Sequence, residues 1–167
     1  DYFMAGDTAR IDVLINVMSM SMTLTDAAYQ ALFPRLGVTV LQALTCSLPF
    51  AAWQESLQGM AMMDVTHQAA QPEFDGNLIT VPVATREEDT LDPLTGALLA
   101  RCAPIPDRVD MLVSLALNWA KLRRLTNAEK RIAIIFHHYP PRNDRIGCAA
   151  GLDSFASVKY LLDAMAA

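Results

Sequence analysis

Hydrophobic positions in this chain come in short, continuous runs rather than strict alternation. "IDVLINVMS" (Ile11–Ser19), "VTVLQAL" (Val38–Leu44), "NLITVPVAT" (Asn77–Thr85) and "RIAIIFH" (Arg131–His137) are rich in β-branched residues and apolar on both faces, the pattern of strands buried in a parallel sheet. Between them the spacing turns helical. Thr25 or Asp26 is placed to cap a helix through "AAYQALFPRLG" that ends near Gly37, and Pro49 suits the first turn of a helix through "LPFAAWQESLQGM". From Pro106 or Asp107 to Leu125 an apolar stripe of Val109, Leu112, Val113, Ala116, Leu117 and Ala120 marks the clearest helix. Lys121, Arg123 and Arg124 lie at its end, where the dipole favours cations. "CAAGLDSFASVKYLLDAM" reads as a final helix with a start weakened by Gly151, and Arg86–Pro106 as a loop. Pro82 removes an amide donor from the third run and predicts an edge or a bulge there.

This alternation predicts an α/β fold: a mainly parallel sheet with flanking helices in Rossmann-like or flavodoxin-like layers. Three blocks are expected. Residues 1–104 form a lobe with three strands, and residues 105–126 a long connecting helix. Residues 127–167 form a strand–loop–helix that completes the sheet or opens the next lobe. Ligands of such sheets gather beyond the carboxyl ends of the strands.

Composition narrows the classes. Of 167 residues 53% are hydrophobic and 19% charged, so the chain folds rather than staying disordered. A net charge of -5 argues against a general nucleic-acid binder. Cys46, Cys102 and Cys148 are odd in number and widely spaced, which fits a reducing, cytoplasmic setting better than a disulfide framework. No apolar run approaches the ~20 residues that cross a bilayer. The acidic, Met-less start and the uncapped helical end lead us to expect a piece of a longer polypeptide.

The chain lacks the phosphate-cradling, dinucleotide, nucleophile-elbow and HExxH patterns. Its polar residues gather instead in loops beside the apolar runs. His137 and His138 close the fourth run; an imidazole there accepts protons near neutral pH or ligates borderline metals, or else is a hydrogen-bonded structural group. Glu73 and Asp75 flank Phe74 before Gly76, either as a solvated turn or as a carboxylate aimed into a cleft. His67 with Asp64 reads as a surface pair. Arg86, Arg142 and Arg145 offer planar forks that match carboxylates.

"AIIFHHYPPRNDRIGCAAGLDSFASV" resembles the signature segment of the large subunits of cobaltochelatase and magnesium chelatase. The resemblance rests on Tyr139, Pro140, Pro141, Gly147, Ala149, Gly151, Leu152, Asp153 and Ser157. "QPEFDGNLIT" and "LTGALLARCAPIPDRVDMLVSLALNWAKLRRLTNAEKR" extend it over most of Gln54–Met165. The family often carries Asn where this chain has His138, and its members are several times longer.

The resemblance implies a subunit that binds a tetrapyrrole and inserts a divalent metal. For cobaltochelatase the metal is cobalt(II) and the ring a corrin, hydrogenobyrinic acid a,c-diamide, on the way to cobalamin. ATP with Mg is hydrolysed by separate AAA+ partner subunits, alongside a second small chelatase subunit. The alternatives are a magnesium chelatase acting on protoporphyrin IX, or a non-catalytic scaffold lobe that docks the AAA+ partners. An isolated piece is expected to be inactive. Under this resemblance Glu73, His137 and His138 handle protons, with Glu73 and His137 on the metal. Arg86, Tyr139, Arg142 and Arg145 hold the ring's acid arms. Pro140, Pro141, Gly147, Gly151 and Asp153 shape the turn.

Overall fold

The structure, a computed structural model, describes residues 2–24 and 32–166. It divides into two units, Asp1–Arg123 and Arg124–Ala167. The expected cap at Thr25 or Asp26 lies outside the described residues. What is described of that helix is α1 (Leu32–Leu36), closed by Gly37 at φ 61°.

In the first unit a small antiparallel pair, β1 (Met4–Ala5) and β2 (Thr8–Ala9), precedes a four-stranded sheet. Its spatial order is β3 (Val13–Asn16), β4 (Thr39–Cys46), β5 (Leu78–Leu91), β6 (Leu98–Pro104). β3–β4 and β4–β5 are parallel, and β5–β6 is antiparallel. The fold is α/β as expected, but the sheet is mixed rather than mainly parallel. The difference lies in Arg86–Pro106, expected as a loop. There β5 runs on past the parallel sheet and turns back as a two-stranded ribbon. The turn is built by Asp92, whose Oδ1 accepts hydrogen bonds from the amides of Leu94 at 2.8 Å and Thr95 at 3.0 Å. Residues of β6 are almost all exposed, so charged side chains cost little there and no apolar alternation announces the strand. Pro82 sits between two register shifts of the β4–β5 ladder, at the bulge its missing amide requires.

Strand β4 is the centre of the core. Leu41 and Ala43 pack with Val83 of β5 and with Leu112 and Ala116 of α5 (Pro106–Arg124). Full burial of a leucine or valine of this kind contributes about 1.5–3 kcal/mol, and the alanines add less. Ile105 is buried and its amide donates to the Val83 carbonyl at 2.8 Å, fixing where α5 begins. At the other end Arg123 donates to the Gly37 carbonyl at 2.6 Å and faces Asp12 at 3.8 Å.

Helix α2 (Phe50–Glu55) follows β4, with Pro49 at its start. Beyond it, α3 (Met62–Asp64), a π-helical turn (Val65–Ala70) and α4 (Gln71–Phe74) run on through helical backbone at each junction. The sequence dictates this irregularity. The Gln71 amide bonds the Thr66 carbonyl five residues back, and the next residue, Pro72, has no amide to offer. The carbonyl of His67 is thereby left without a helical donor.

In the second unit, Thr126 and Glu129 form a reciprocal capping box around a short 3-10 turn, Asn127–Glu129. A second 3-10 turn spans Asn143–Arg145, and α6 (Ser154–Ala166) ends the unit. Asp153 caps α6, its Oδ1 accepting from the Ala156 amide at 2.9 Å. The expected fourth strand, Arg131–His137, is not paired into a sheet among the described residues. Ile132, Ile134 and Ile135 stay exposed, and pairing near the run is limited to an isolated bridge between His138 and Ile146, just past its end; a second bridge joins Ala149 and Leu152. An apolar β-branched run needs a neighbouring strand, and the described residues of this unit supply none.

Candidate functional site

The first unit carries a buried polar network at the carboxyl end of β3. Gln42 of β4 is fully buried. Its Nε2 donates to the Met18 carbonyl at 2.9 Å, and its Oε1 accepts from Asn16 Nδ2 at 2.8 Å and from Asn77 Nδ2 at 3.0 Å. The Met18 carbonyl can only accept, so it fixes which way the Gln42 amide points. Asn77 is 3% exposed, and its Oδ1 is buried with no hydrogen-bond partner.

Beside this network, residues 20–23 lie along one face of the α3–α4 helix. The Met20 amide donates to the orphaned His67 carbonyl at 2.7 Å and the Ser21 amide to Gln71 Oε1 at 3.4 Å. Asp75 accepts from both hydroxyls, Ser21 Oγ and Thr23 Oγ1, and from the amides of Met22 at 2.9 Å and Thr23 at 3.2 Å. Burial pushes the Asp75 carboxyl up, but these four hydrogen bonds outweigh it and hold the group below the usual Asp range. Met20 takes a left-handed φ of 70°. For a side chain of that size such a conformation persists only where its surroundings enforce it. Val17, Met18 and Leu24 stand exposed on the same loop.

In the second unit, His138 Nε2 lies 3.0 Å from the Arg142 carbonyl. A carbonyl only accepts, so Nε2 is the donor in this contact, which leaves Nδ1 unused by it. Arg142 forms a two-point pair with Asp144, at 3.0 Å through Nε and 3.0 Å through Nη2. Arg145 donates to Cys148 Sγ at 3.6 Å. His137 borders an apolar hollow of about 240 Å³ shared with Phe136, Gly147, Cys148, Val158 and Leu161. The Gly147 amide donates to the His137 carbonyl at 2.7 Å. A Cβ at Gly147 would stand 2.8 Å from the Phe136 ring, which stacks on Phe155 at 5.2 Å between centroids. A side chain there would push on that ring, and the φ of 68° favours glycine as well.

A family model described as CobN/Magnesium Chelatase matches residues 1–167. The chain belongs to this family. It is 33% identical over 156 residues, 93% of its length, to an aerobic cobaltochelatase subunit CobN from Sinorhizobium. It is 36% identical over 110 residues, 66% of its length, to the chloroplastic magnesium-chelatase subunit ChlH of Oryza sativa. Its fold matches the catalytic subunit of cobaltochelatase from Mycobacterium tuberculosis with a TM-score of 0.74, 32% identity and 92% of this chain covered. The chain spans 12% of the Sinorhizobium subunit and 13% of the solved one, about an eighth of each.

Within this piece of a CobN/magnesium chelatase protein, the residues expected to act divide between the units. Glu73 and Arg86 belong to the first, and His137, His138, Tyr139, Arg142 and Arg145 to the second. Glu73 is exposed at the end of α4, and Arg86 stands on the β5–β6 ribbon, 3.8 Å from Glu88. His138, Arg142 and Arg145 share one loop, with Pro140 following a cis peptide bond. Among the described residues no group of three or more His, Cys, Asp or Glu converges on a metal-holding point. Asp64 is not paired with His67; its Oδ2 accepts from the Ser47 amide and hydroxyl, each at 2.8 Å.

Sequence reading missed Gln42, Asn16, Asn77 and the loop around Ser21 and Thr23. The available signal was polar: a glutamine inside an otherwise apolar run, and an alternation of Ser, Thr and Met just past a strand. It also placed Gln71–Gly76 in a loop, whereas its first four residues are helix; the Asp75 carboxylate, read either as part of a solvated turn or as aimed into a cleft, is taken up by the 20–23 loop.

Proposed function

We propose that this chain is part of the tetrapyrrole-binding large subunit of an ATP-dependent cobaltochelatase, which inserts cobalt(II) into a corrin ring in cobalamin biosynthesis. The observation that carries this reading is the 33% identity to a CobN subunit across 93% of the chain. Cobalt is a substrate here, held only in passage. ATP is hydrolysed by AAA+ partner subunits with a second small subunit, and the complex works in the cytoplasm. No described helix is long and apolar enough to cross a membrane.

Metal insertion into a tetrapyrrole requires two ring N–H protons to leave, a hydrated cation to shed water, and a flat, acid-fringed ring to be held. Glu73, His137 and His138 supply bases and hard or borderline donors for the first two tasks. Arg86, Arg142 and Arg145, with Tyr139, meet the carboxylate arms. Pro140, Pro141, Gly147, Gly151 and Asp153 shape the loop that carries them.

A second reading, a magnesium chelatase acting on protoporphyrin IX, has its own support in the 36% identity to the rice subunit. Titrating the full-length subunit with each ring, by ring absorbance and tryptophan fluorescence, separates the readings. Trp53 borders a hollow of about 350 Å³ with Phe50, Ile105 and Arg108 and is placed to report. With the partner subunits and ATP, cobalt should enter the corrin. Binding of protoporphyrin alone, followed by magnesium uptake, would transfer the assignment to the second reading. Binding of neither ring would leave a scaffold lobe.

A further inference from the structure

The polar network of the first unit has a geometry that bears on Glu73. His67, Gln71 and Asp75 are four residues apart, and each bonds the 20–23 loop. At that α-helical spacing the Gln71 side chain and that of the C-cap residue Asp75 fall near one face, while His67, inside the π-helical turn, contributes its backbone carbonyl. Glu73 falls near the opposite face and is exposed there, as is Phe74 a turn-fraction away. Three successive anchors along one side of a helix fix its rotation about its own axis. The heading of the other side is then fixed too.

The π-helical turn makes such anchoring necessary. The extra residue it accommodates changes the direction of every side chain beyond it relative to α3. Nothing within the helix restores that angle, because Pro72 cannot donate. The anchors come from outside: the His67 carbonyl left free by the irregularity takes the Met20 amide, and Asp75 takes four donors from Ser21, Met22 and Thr23. Just past Asp75, Gly76 turns with φ 80° while its amide closes on the Glu73 carbonyl at 3.0 Å. Asn77 then locks into Gln42. Glu73 therefore sits between two fixed points on the chain.

We propose that Asp75 is a positioning residue that sets the direction of Glu73 by clamping the 20–23 loop against the far side of the same helix. This rests on the reading above that Glu73 handles protons or metal during insertion. The role assigned to Asp75 is positioning, because all four donors to its carboxylate belong to that loop.

The test uses the full-length subunit with its partner subunits and compares D75N, E73Q and the double variant, with T23V as a milder break of the same clamp. In D75N the amide group of the new side chain opposes an N–H or hydroxyl donor, so the clamp loosens without a change of size. The expected result is an insertion rate lowered about 10-fold to 100-fold by D75N, as misplacement of a working group does, with ring affinity within about twofold of the parent. The double variant should be no slower than E73Q alone, because Asp75 acts only through Glu73. T23V should fall between D75N and the parent. Amide hydrogen exchange in residues 17–24 and 71–76 should rise at least about fivefold in D75N. Multiplying effects in the double variant, or unchanged exchange in those segments, overturns the proposal. A parent-like rate in E73Q also overturns it, and identifies the assignment of Glu73 as the faulty step. If the unmodified subunit binds no ring, the chelatase reading itself fails, while exchange still reports whether the clamp exists.

Discussion

The two units solve the same problem, holding polar groups in a loop, by opposite means. In the first, Gln42, Asn16, Asn77 and Asp75 are tied through partners far away in sequence, from Ser21 to Asp75 and from Asn16 to Gln42. In the second, His138, Arg142, Asp144 and Arg145 bond only within a few residues of one another and remain exposed. The buried network sets the backbone but presents few polar atoms to a ligand. The exposed loop presents many but has little holding it beyond Gly147 and Asp153. Architecture and chemistry are thus assigned to different polar groups, and substitutions should separate them.

The largest effect is expected at Gln42. Gln42→Leu conserves size but leaves the Asn16 and Asn77 amide groups and the Met18 carbonyl without their partner. Each buried unpaired group costs about 1–3 kcal/mol, so a local loss of about 3 kcal/mol or more is expected. Hydrogen exchange across β3, β4 and the start of β5 in the full-length protein measures it. Parent-like protection would show the network to be incidental. In the second unit Gly147→Ala comes next. The left-handed backbone and the Phe136 contact together should cost about 2 kcal/mol or somewhat more, seen as faster exchange at the start of α6. No change there would mean that the Phe136–Phe155 stack yields freely.

Asp75 allows the comparison to be sharpened by pH. Its carboxyl is held below its unfolded value, so the stability it adds is complete above the unfolded value and disappears as pH falls through the folded one. Acidification below the ordinary Asp range should therefore release Met20–Leu24 to exchange or proteolysis. In D75N that dependence should vanish. A parent protein whose loop protection stays flat through the same acid range would contradict the clamp.

What the sequence revealed follows from how local each feature is. β4 was legible because seven consecutive residues, Val38–Leu44, are nearly all apolar and the strand is buried on both faces. α5 was legible from its stripe and its Pro106 start. The β5–β6 ribbon was not: its charged residues reflect exposure on both sides, and exposure carries no period. Arg131–His137 misled for the converse reason, since β propensity describes a surface ready to pair and says nothing of whether a partner strand exists. At the candidate site, Gly147 and Asp153 were assigned to a turn only through the family resemblance, and the cap that Asp153 makes on α6, which begins at Ser154 rather than near Cys148, is a finding of the structure. The role of Asp75 was not legible, because its partners are about fifty residues away. Nothing local to Ser21 and Thr23 names Asp75 as their partner; the fold alone brings it to them.

The smallest expected effect discriminates most sharply between the two kinds of loop. Arg142 pairs with Asp144 through two hydrogen bonds, yet both side chains are more than half exposed, at 65% and 58%. Exposed pairs of this sort contribute about 0–1 kcal/mol, because water and lost side-chain entropy offset most of the attraction. Arg142→Ala should change stability by no more than about 0.5 kcal/mol. If Arg142 exists to meet a ring carboxylate, the same change should weaken ring binding about tenfold, the order expected when a charge-assisted pair is lost. Arg142→Lys should recover only part of that, since a single ammonium cannot reproduce the planar fork. Asp144→Asn supplies the opposite sign: it releases the guanidinium from its resident carboxylate and should tighten binding of an acid-armed ring. Loss of stability in Arg142→Ala, with ring affinity unchanged, would move this loop into the architectural class that Gln42 represents.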